Sequence, residues 1–247
     1  MFSGDFHTHT RYSDGRGSLR ENVEAALKKG LLFYGVADHG PANIGTGVRQ
    51  EKVYLTIKEE ARNLEKEFSD IKILVGAEAN VISLEGDIDI SREIVSVLDF
   101  LIIGLHPYIL PRTLKDGFLF VLPNLFGRFF SGIKKYLIRV NTRALIRSIE
   151  KYRPLAISHP NLRLPVNIEE LARTCAKYGV ALEINTGHNY PKDEIVLAAL
   201  KTGAKLMVNS DAHYPQTVGE LKSGKELLLR YNFPLDRVLN IKGSELN

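Results

Sequence analysis

Apolar positions along the chain fall in short, dense runs separated by longer polar stretches. The runs at 2–6, 31–37, 71–76, 100–104, 155–158, 180–184 and 205–209 are continuous rather than alternating. That pattern predicts parallel strands buried on both faces. The stretches between them carry helix punctuation. Ser18 precedes a helix over 19–29, Glu21 stands where a capping-box partner belongs, and Gly30 follows. A long charge-rich helix is predicted at 49–68. Asn167 and Glu170 open another that runs to Tyr178 and stops at Gly179, Pro191 starts one ending near Gly203, and the last covers 218–231. Repeated strand–helix units of about 25–40 residues predict an α/β fold with a parallel sheet. Seven strands favour a closed or nearly closed barrel, with a doubly wound open sheet as the alternative. No Pro-, Gly- or Ser-rich linker interrupts the pattern, so 1–247 reads as one domain.

Composition narrows this picture by exclusion. The 247 residues are 44% hydrophobic and 25% charged, ordinary for a globular chain. The one cysteine, Cys175, rules out an internal disulfide and a cysteine-based zinc finger. The opening stretch is polar and unlike a secretory leader, and no uncharged apolar run reaches the roughly 18 residues of a membrane span. A soluble, cytoplasmic protein is the expectation. The net charge of +4 is too small to indicate a nucleic-acid partner.

The candidate chemistry lies in where the seven histidines fall. His7, His9, His39, His106, His159 and His213 sit at or just after the C-terminal ends of predicted strands, the edge at which parallel α/β folds build active sites. His7 and His9 form an HxH pair at strand spacing, and Asp211 with His213 repeats it after the last strand. Asp14, Asp38 and Glu78 add carboxylates at the same edge. Imidazole and carboxylate together suit Zn, Mn or Fe, and the ligand count allows two or three ions. Any one of these histidines alone reads as core or surface, whereas six at equivalent strand ends read as a site. Asp14 also fits ordinary Ser-Asp-Gly turn chemistry. Asp5 and Asp38 are candidates to orient the imidazoles, against plain capping roles. His188, after the sixth strand, is a substrate contact or an exposed loop residue.

Asp5-Phe6-His7-Thr8-His9-Thr10 with Ser13-Asp14-Gly15, then Asp38-His39-Gly40, Glu78, His106, Ser158-His159-Pro160 and Ser210-Asp211-Ala212-His213, resemble the PHP family (polymerase and histidinol phosphatase) from residue 5 to about 240. The resemblance implies a distorted (β/α)7 TIM-like barrel with a trinuclear metal site at the C-terminal ends of the strands. One ion would take His7, His9, Glu78 and Asp211. A second would share Glu78 and take His106 and His159. The third would take Asp14, His39 and His213. Asp38, Asp211 and His213 are the expected catalytic groups. Asp38-His39-Gly40-Pro41 and Glu183-Ile184-Asn185 look most like the small stand-alone phosphatases of the family. The activity implied is metal-dependent hydrolysis of a small phosphomonoester by an activated water. Nuclease action on short oligonucleotides, or a catalytically weak metal-binding interaction module, are the alternatives. Arg11, Arg16, Arg49 and Arg163 are candidates to hold phosphate oxygens, against the plainer reading of solvated surface charges.

One segment departs from the repeating pattern. The connection at 107–153 holds five of the eleven phenylalanines, Phe118, Phe120, Phe126, Phe129 and Phe130, and then a predicted helix at 132–152. On that helix Lys135, Arg139, Arg143, Arg147 and Lys151 recur every fourth position. Residues 128–153 carry +7, leaving −3 of the +4 total on the rest of the chain. The bland reading is an outer helix partnered by acids from neighbouring elements. The functional one is an anionic partner such as a nucleotide or oligonucleotide, an acidic protein or anionic lipid. The Phe-rich stretch at 117–130 is expected to serve as a lid or homo-oligomer contact beside the metal site.

Overall fold

The structure, a computed structural model, describes residues 1–127 and 131–243. The strands are β1 (Gly4–Asp5), β2 (Phe33–Val36), β3 (Lys72–Val75), β4 (Glu78–Asn80), β5 (Ile102–Gly104), β6 (Ala156–Ile157), β7 (Ala181–Asn185) and β8 (Lys205–Asn209). All their pairings are parallel and between neighbours in the chain: β1-β2-β3 form one sheet and β4-β5-β6-β7-β8 the other. Single parallel bridges, His39 with Glu78 and Thr8 with Ala212, join the two sheets at both seams. β3 and β4 are therefore one path broken at Gly76–Ala77, which gives seven strand paths with the third in two pieces. A Cβ on Gly76 would sit 2.5 Å from the Phe100 ring, so the break admits only glycine there.

The helices are α1 (Leu19–Lys28), α2 (Val53–Glu67), α3 (Arg92–Val97), α4 (Leu114–Asp116), α5 (Leu122–Phe126), α6 (Lys134–Tyr152), α7 (Ile168–Tyr178), α8 (Asp193–Thr202) and α9 (Lys222–Arg230). The capping box of Ser18 and Glu21 is present, and Asn167 and the left-handed Gly179 bracket α7 as expected. The last helix starts at Lys222 rather than 218, after a 3-10 turn at Pro215–Thr217. α3, capped by Ser91, was not expected from the sequence.

Apolar side chains form two clusters. The larger packs the helices against the sheets. The smaller takes Phe6, Ala37, Ile102, Ala156, Ala181 and Met207 from both sheets. Two residues further along the same strand paths stand Gly104, Ser158, Glu183 and Asn209, on the same side because side chains alternate with period two. An apolar floor thus lies one side-chain layer from a polar layer. This corrects the expectation of strands apolar throughout: β7 alternates Ala181, Glu183 and Asn185 with Leu182 and Ile184.

The segment between β5 and β6 is helical rather than a loose cover. α4 runs into a five-residue π-helical turn, Gly117–Val121, then into α5. Phe120 is buried, while Leu114, Phe118, Leu119, Leu122 and Phe126 are exposed. Arg128, Phe129 and Phe130 lie outside the described residues. α6 buries Leu137, Ala144, Leu145 and Ile149 against the core. At its C-terminal half the basic stripe is partnered: Arg147 pairs with Glu85 at 2.8 Å and Lys151 with Asp87 at 2.7 Å. Asn124 and Asn141, both buried, exchange amide hydrogen bonds at 2.8 and 2.9 Å and so tie α5 to α6. Among the described residues no helix is long and apolar enough to cross a membrane.

Candidate metal centre

The polar layer exists to hold one backbone edge in place. His7 and His9 follow β1, where Thr8 bridges Ala212. His39 follows β2, Glu78 begins β4, His106 follows β5, His159 follows β6, and Asp211 and His213 follow β8. A Cβ on Gly104 would stand 2.4 Å from Ser158 Oγ and 3.0 Å from Glu78 Oε1, so the strand end needs glycine to let the carboxylate reach the centre. His159 (φ 24°) and Asp211 (φ 53°) adopt left-handed backbone, which re-aims each side chain at the end of its strand.

Around Glu78 the imidazoles converge. Its Oε2 lies 2.7 Å from His39 Nδ1 and 3.3 Å from His7 Nε2, and its Oε1 lies 2.8 Å from His159 Nε2 and 3.4 Å from His106 Nε2. Asp211 Oδ1 lies 3.0 Å from His9 Nε2 and 3.4 Å from His7 Nε2. Asp14, on the loop before α1, meets His213 at 3.2 Å, His39 at 3.8 Å and His9 at 3.9 Å. Four groups have ligand atoms within 4.8 Å of one another: His9, Asp14, His39 and His213; His7, His9 and Asp211; His7, Glu78 and His159; and His39, Glu78 and His106. All nine ligand residues of the sequence reading are brought together. His7, His9 and His39 each belong to two groups, where the sequence assigns each to one ion.

The donor pattern fits cations. Glu183 accepts from His7 Nδ1 at 2.7 Å, which turns the Nε2 lone pair toward two carboxylate oxygens. His213 Nδ1 likewise donates to the Asp211 carbonyl at 2.9 Å, leaving Nε2 facing Asp14. Acceptor then faces acceptor in a buried space, and only a proton or a metal ion relieves that. His7 Nε2, His9 Nδ1, His39 Nδ1, Glu78 Oε2 and both ring nitrogens of His106 are buried without a hydrogen-bond partner.

The electrostatics agree. Burial works to raise the Glu78 carboxyl, but the charges of His106, His7, His39 and His159 hold it well below the usual range. Burial also opposes ionisation of Asp211, and the His7 charge with hydrogen bonds from His188 and His9 outweighs it. His9 is pushed down to about 3, by burial and then by His39, and so is a neutral Lewis base near pH 7. Burial pulls His213 down, yet the hydrogen bond with Asp14 and the Asp211 charge lift it to about 9.

The remaining expectations divide. Asp5 and Asp38 touch no imidazole; both brace backbone. Asp38 accepts from the Thr10 N–H at 2.7 Å, from Thr10 Oγ1 at 2.6 Å and from Ser13, and so shapes the loop that carries Asp14. Its oxygens are spent there, which sets it beside the site and not among the reacting groups; burial first, partly offset by these bonds, raises it to about 6. Asp5 accepts from Ser210 and Gly219 and fixes the turn before Asp211. Arg163 and His188 line the pocket of about 190 Å³ over the cluster, and His188 Nε2 lies 3.1 Å from Asp211 Oδ2. Arg16 and Arg49 are exposed and not on its walls, and Arg11 is turned to Glu21 and the Arg16 carbonyl. The residues that orient the ligands are Glu183, Asn185, Asn209 and Ser158. Glu183 also accepts from the His159 N–H and Asn209, Asn185 donates to Asp211 Oδ2, and Ser158 donates to Glu78.

Comparison with known proteins bears on the same residues. A "Probable phosphatase" of Shewanella piezotolerans is 28% identical over 97% of this chain and 89% of its own length, and another of Tolumonas auensis is 28% identical over 96% and 88%. Among solved structures, histidinol phosphate phosphatase from Lactococcus lactis, complexed with Zn, L-histidinol and phosphate, superposes with a TM-score of 0.65 at 18% identity, covering 94% of each chain. A putative histidinol phosphatase from Listeria monocytogenes gives 0.59 at 16% identity, covering 90% of this chain and 99% of that one. These two show the fold. The PHP domain family matches residues 5–187, from the aspartate before the HxH pair to the loop after β7, and the chain belongs to that family.

Proposed function

We propose that the chain is a metal-dependent phosphoesterase, a hydrolase of the phosphatase type, acting on a small organic phosphomonoester. The observation that carries this reading is the convergence of imidazole lone pairs and carboxylates on shared points beneath an open pocket walled by His188 and Arg163. His7, His9, Glu78 and Asp211 would hold one divalent ion, Glu78, His106 and His159 a second, and Asp14, His39 and His213 a third, with Zn, Mn and Fe all suited to the donors. Such ions, when bound, activate a water and offset charge on the phosphoryl group.

The chain's own groups do the rest. Arg163 meets the non-reacting phosphate oxygens at the rim. His188, held by Asp211 Oδ2, stands on the pocket wall where it contacts the ester. His213 Nδ1 donates to the Asp211 backbone carbonyl, which fixes the His213 ring against the turn that carries the Asp211 carboxylate. Glu183 keeps His7 and His159 in register and Asp38 keeps Asp14 at the mouth.

The test is turnover of phenyl phosphate by purified protein with added Mn²⁺ or Zn²⁺. The expected result is metal-dependent hydrolysis that His7→Ala and Asp211→Ala abolish. Phenyl phosphate left intact by the metal-loaded protein, or turnover unchanged in both variants, refutes it.

A further inference from the structure

The phosphatase reading leaves open where the alcohol part of the ester lies. The pocket over the ligand cluster holds about 190 Å³, below the about 300–1,000 Å³ usual for small-molecule sites, and Asp14, His39, His106, His159, Asp211 and His213 of the cluster form part of its walls. Beside it opens a second cavity of about 830 Å³ that shares Pro107, Tyr108 and Arg163 with the first. Its far wall comes from the segment between β5 and β6: Leu125 of α5, then Lys134 and Leu137 of α6.

Two features set this cavity apart from a gap between helices. First, its walls are pinned to one another. Asn124, on the wall, exchanges hydrogen bonds with Asn141, and Asn141 also donates to the Pro165 carbonyl at 3.0 Å, so α5, α6 and the loop after His159 hold a fixed spacing. A buried polar network of this kind specifies a geometry that apolar packing alone leaves loose. Second, its charge has one sign. Among the described residues, Lys134 and Arg163 line it and no acidic side chain does.

We infer that this cavity is the leaving-group subsite, and that the substrate is a phosphomonoester whose alcohol is bulky and carries a second anionic group at the end remote from the ester. The phosphoryl group then sits over the cluster, the body of the alcohol passes Tyr108, and its distal anion meets Lys134. This rests on the phosphatase reading for the ester end only.

Three esters test it on the metal-loaded protein: phenyl phosphate, naphthyl phosphate, and naphthyl phosphate bearing a distal carboxylate. Lys134→Met is expected to lower kcat/KM for the carboxylated ester about fivefold, the upper end for a solvent-exposed ion pair, and to leave the other two unchanged. Leu125→Trp, which fills the cavity, is expected to lower kcat/KM for both naphthyl esters and to spare phenyl phosphate. Equal effects on all three esters, or none, overturn the inference. Calorimetry of the product, a hydroxynaphthoate, gives a reading independent of turnover: it binds the parent, and about fivefold more weakly to Lys134→Met. If the parent turns over none of the esters, the phosphatase reading fails and the calorimetry still decides the cavity, since no binding, or equal binding by both proteins, overturns it.

Discussion

Glu183→Gln isolates the part of the site that holds the ligands without ligating. The change removes one charge and almost no volume. In the parent, Oε1 accepts from His7 Nδ1 at 2.7 Å and from Asn209 Nδ2 at 2.9 Å, while Oε2 accepts from the His159 N–H at 2.8 Å and Asn185 Nδ2 at 3.3 Å. Both oxygens therefore face donors only. A glutamine has one oxygen and one NH₂, so in either orientation its NH₂ meets donors and leaves at least one buried N–H unpaired. That costs about 1–3 kcal/mol. At about 2–4 °C per kcal/mol for a chain of this size, the melting temperature falls by roughly 2–12 °C. The second effect is on metal. His7 loses the carboxylate that fixes its tautomer and makes Nε2 more basic, and partners of that kind are worth about 10–100-fold in metal affinity. Competition between the protein and a chromophoric chelator for Zn²⁺ measures this directly. Asn209→Ala serves as the control: it removes one donor to Glu183, lowers the melting temperature, and leaves the charge beside His7. Zn²⁺ affinity of Glu183→Gln within about twofold of the parent would sink the assignment of Glu183 as the group that orients His7.

Other outcomes follow from the same coordinates. Exhaustive chelation is expected to abolish turnover and lower the melting temperature, since an ion at a hundredfold excess over its dissociation constant stabilises by about 2.7 kcal/mol; superimposable melting curves with and without chelator contradict the site. Asn141→Leu leaves the Asn124 side-chain oxygen without its donor in the core and should cost about 1–3 kcal/mol in urea unfolding, while the double change with Asn124→Leu recovers part of that because it removes that oxygen, although the Pro165 carbonyl still lacks its side-chain donor. Asp87 gives a pH signature: burial opposes its ionisation, but hydrogen bonds from Lys151, Ser83 and Arg112 hold it down to about 2. The folded carboxyl then titrates below its unfolded value of about 3.9, so its contribution is present above that value and is lost as the pH falls toward 2. Asp87→Asn should flatten the stability profile in that window, read by urea unfolding, and an unaltered slope there refutes the ion-pair assignment.

Much of this was legible because the signals were local. Ser18 with Glu21, and Asn167 with Gly179, mark helix ends through bonds that span a few residues, and α1 and α7 stand where those residues put them. The candidate ligands were legible for another reason: a histidine or acid at each strand end needs only the strand to be recognised. What escaped depends on partners far away in the chain. Glu183 and Asn209 sit inside runs that read as plain strand and Asn185 directly after one, and their roles come from His7, His159 and Asp211 across the sheet. The alternation Ala181, Glu183, Asn185 was the available signal. The break between β3 and β4 escaped because the Phe100 ring, not the local run, dictates Gly76. Among the arginines, Arg11 and Arg163 look alike in sequence, and only the packing of the loop after His159 brings one of them to the pocket. The π-helical turn at Gly117–Val121 has no residue signature comparable to a cap.

The seam between the first and last strand paths has a consequence for how the molecule matures. Every other strand pairing joins neighbours in the chain, so those ladders form as the polypeptide lengthens. The seam waits for residues 205 positions apart, Asp5 and Ser210, and Thr8 meets Ala212 only then. His7 and His9 emerge first from synthesis and Asp211 and His213 near the end. Until the circle closes, the early histidines stand at an uncovered sheet edge without Asp211, the one acidic partner that follows β8, and contacts of such long range are the slow ones. Two of the four ligand groups, those that include Asp211 or His213, are thereby completed only at the last step of folding. A chain halted or clipped before β8 keeps most of its strands, yet lacks both of those groups.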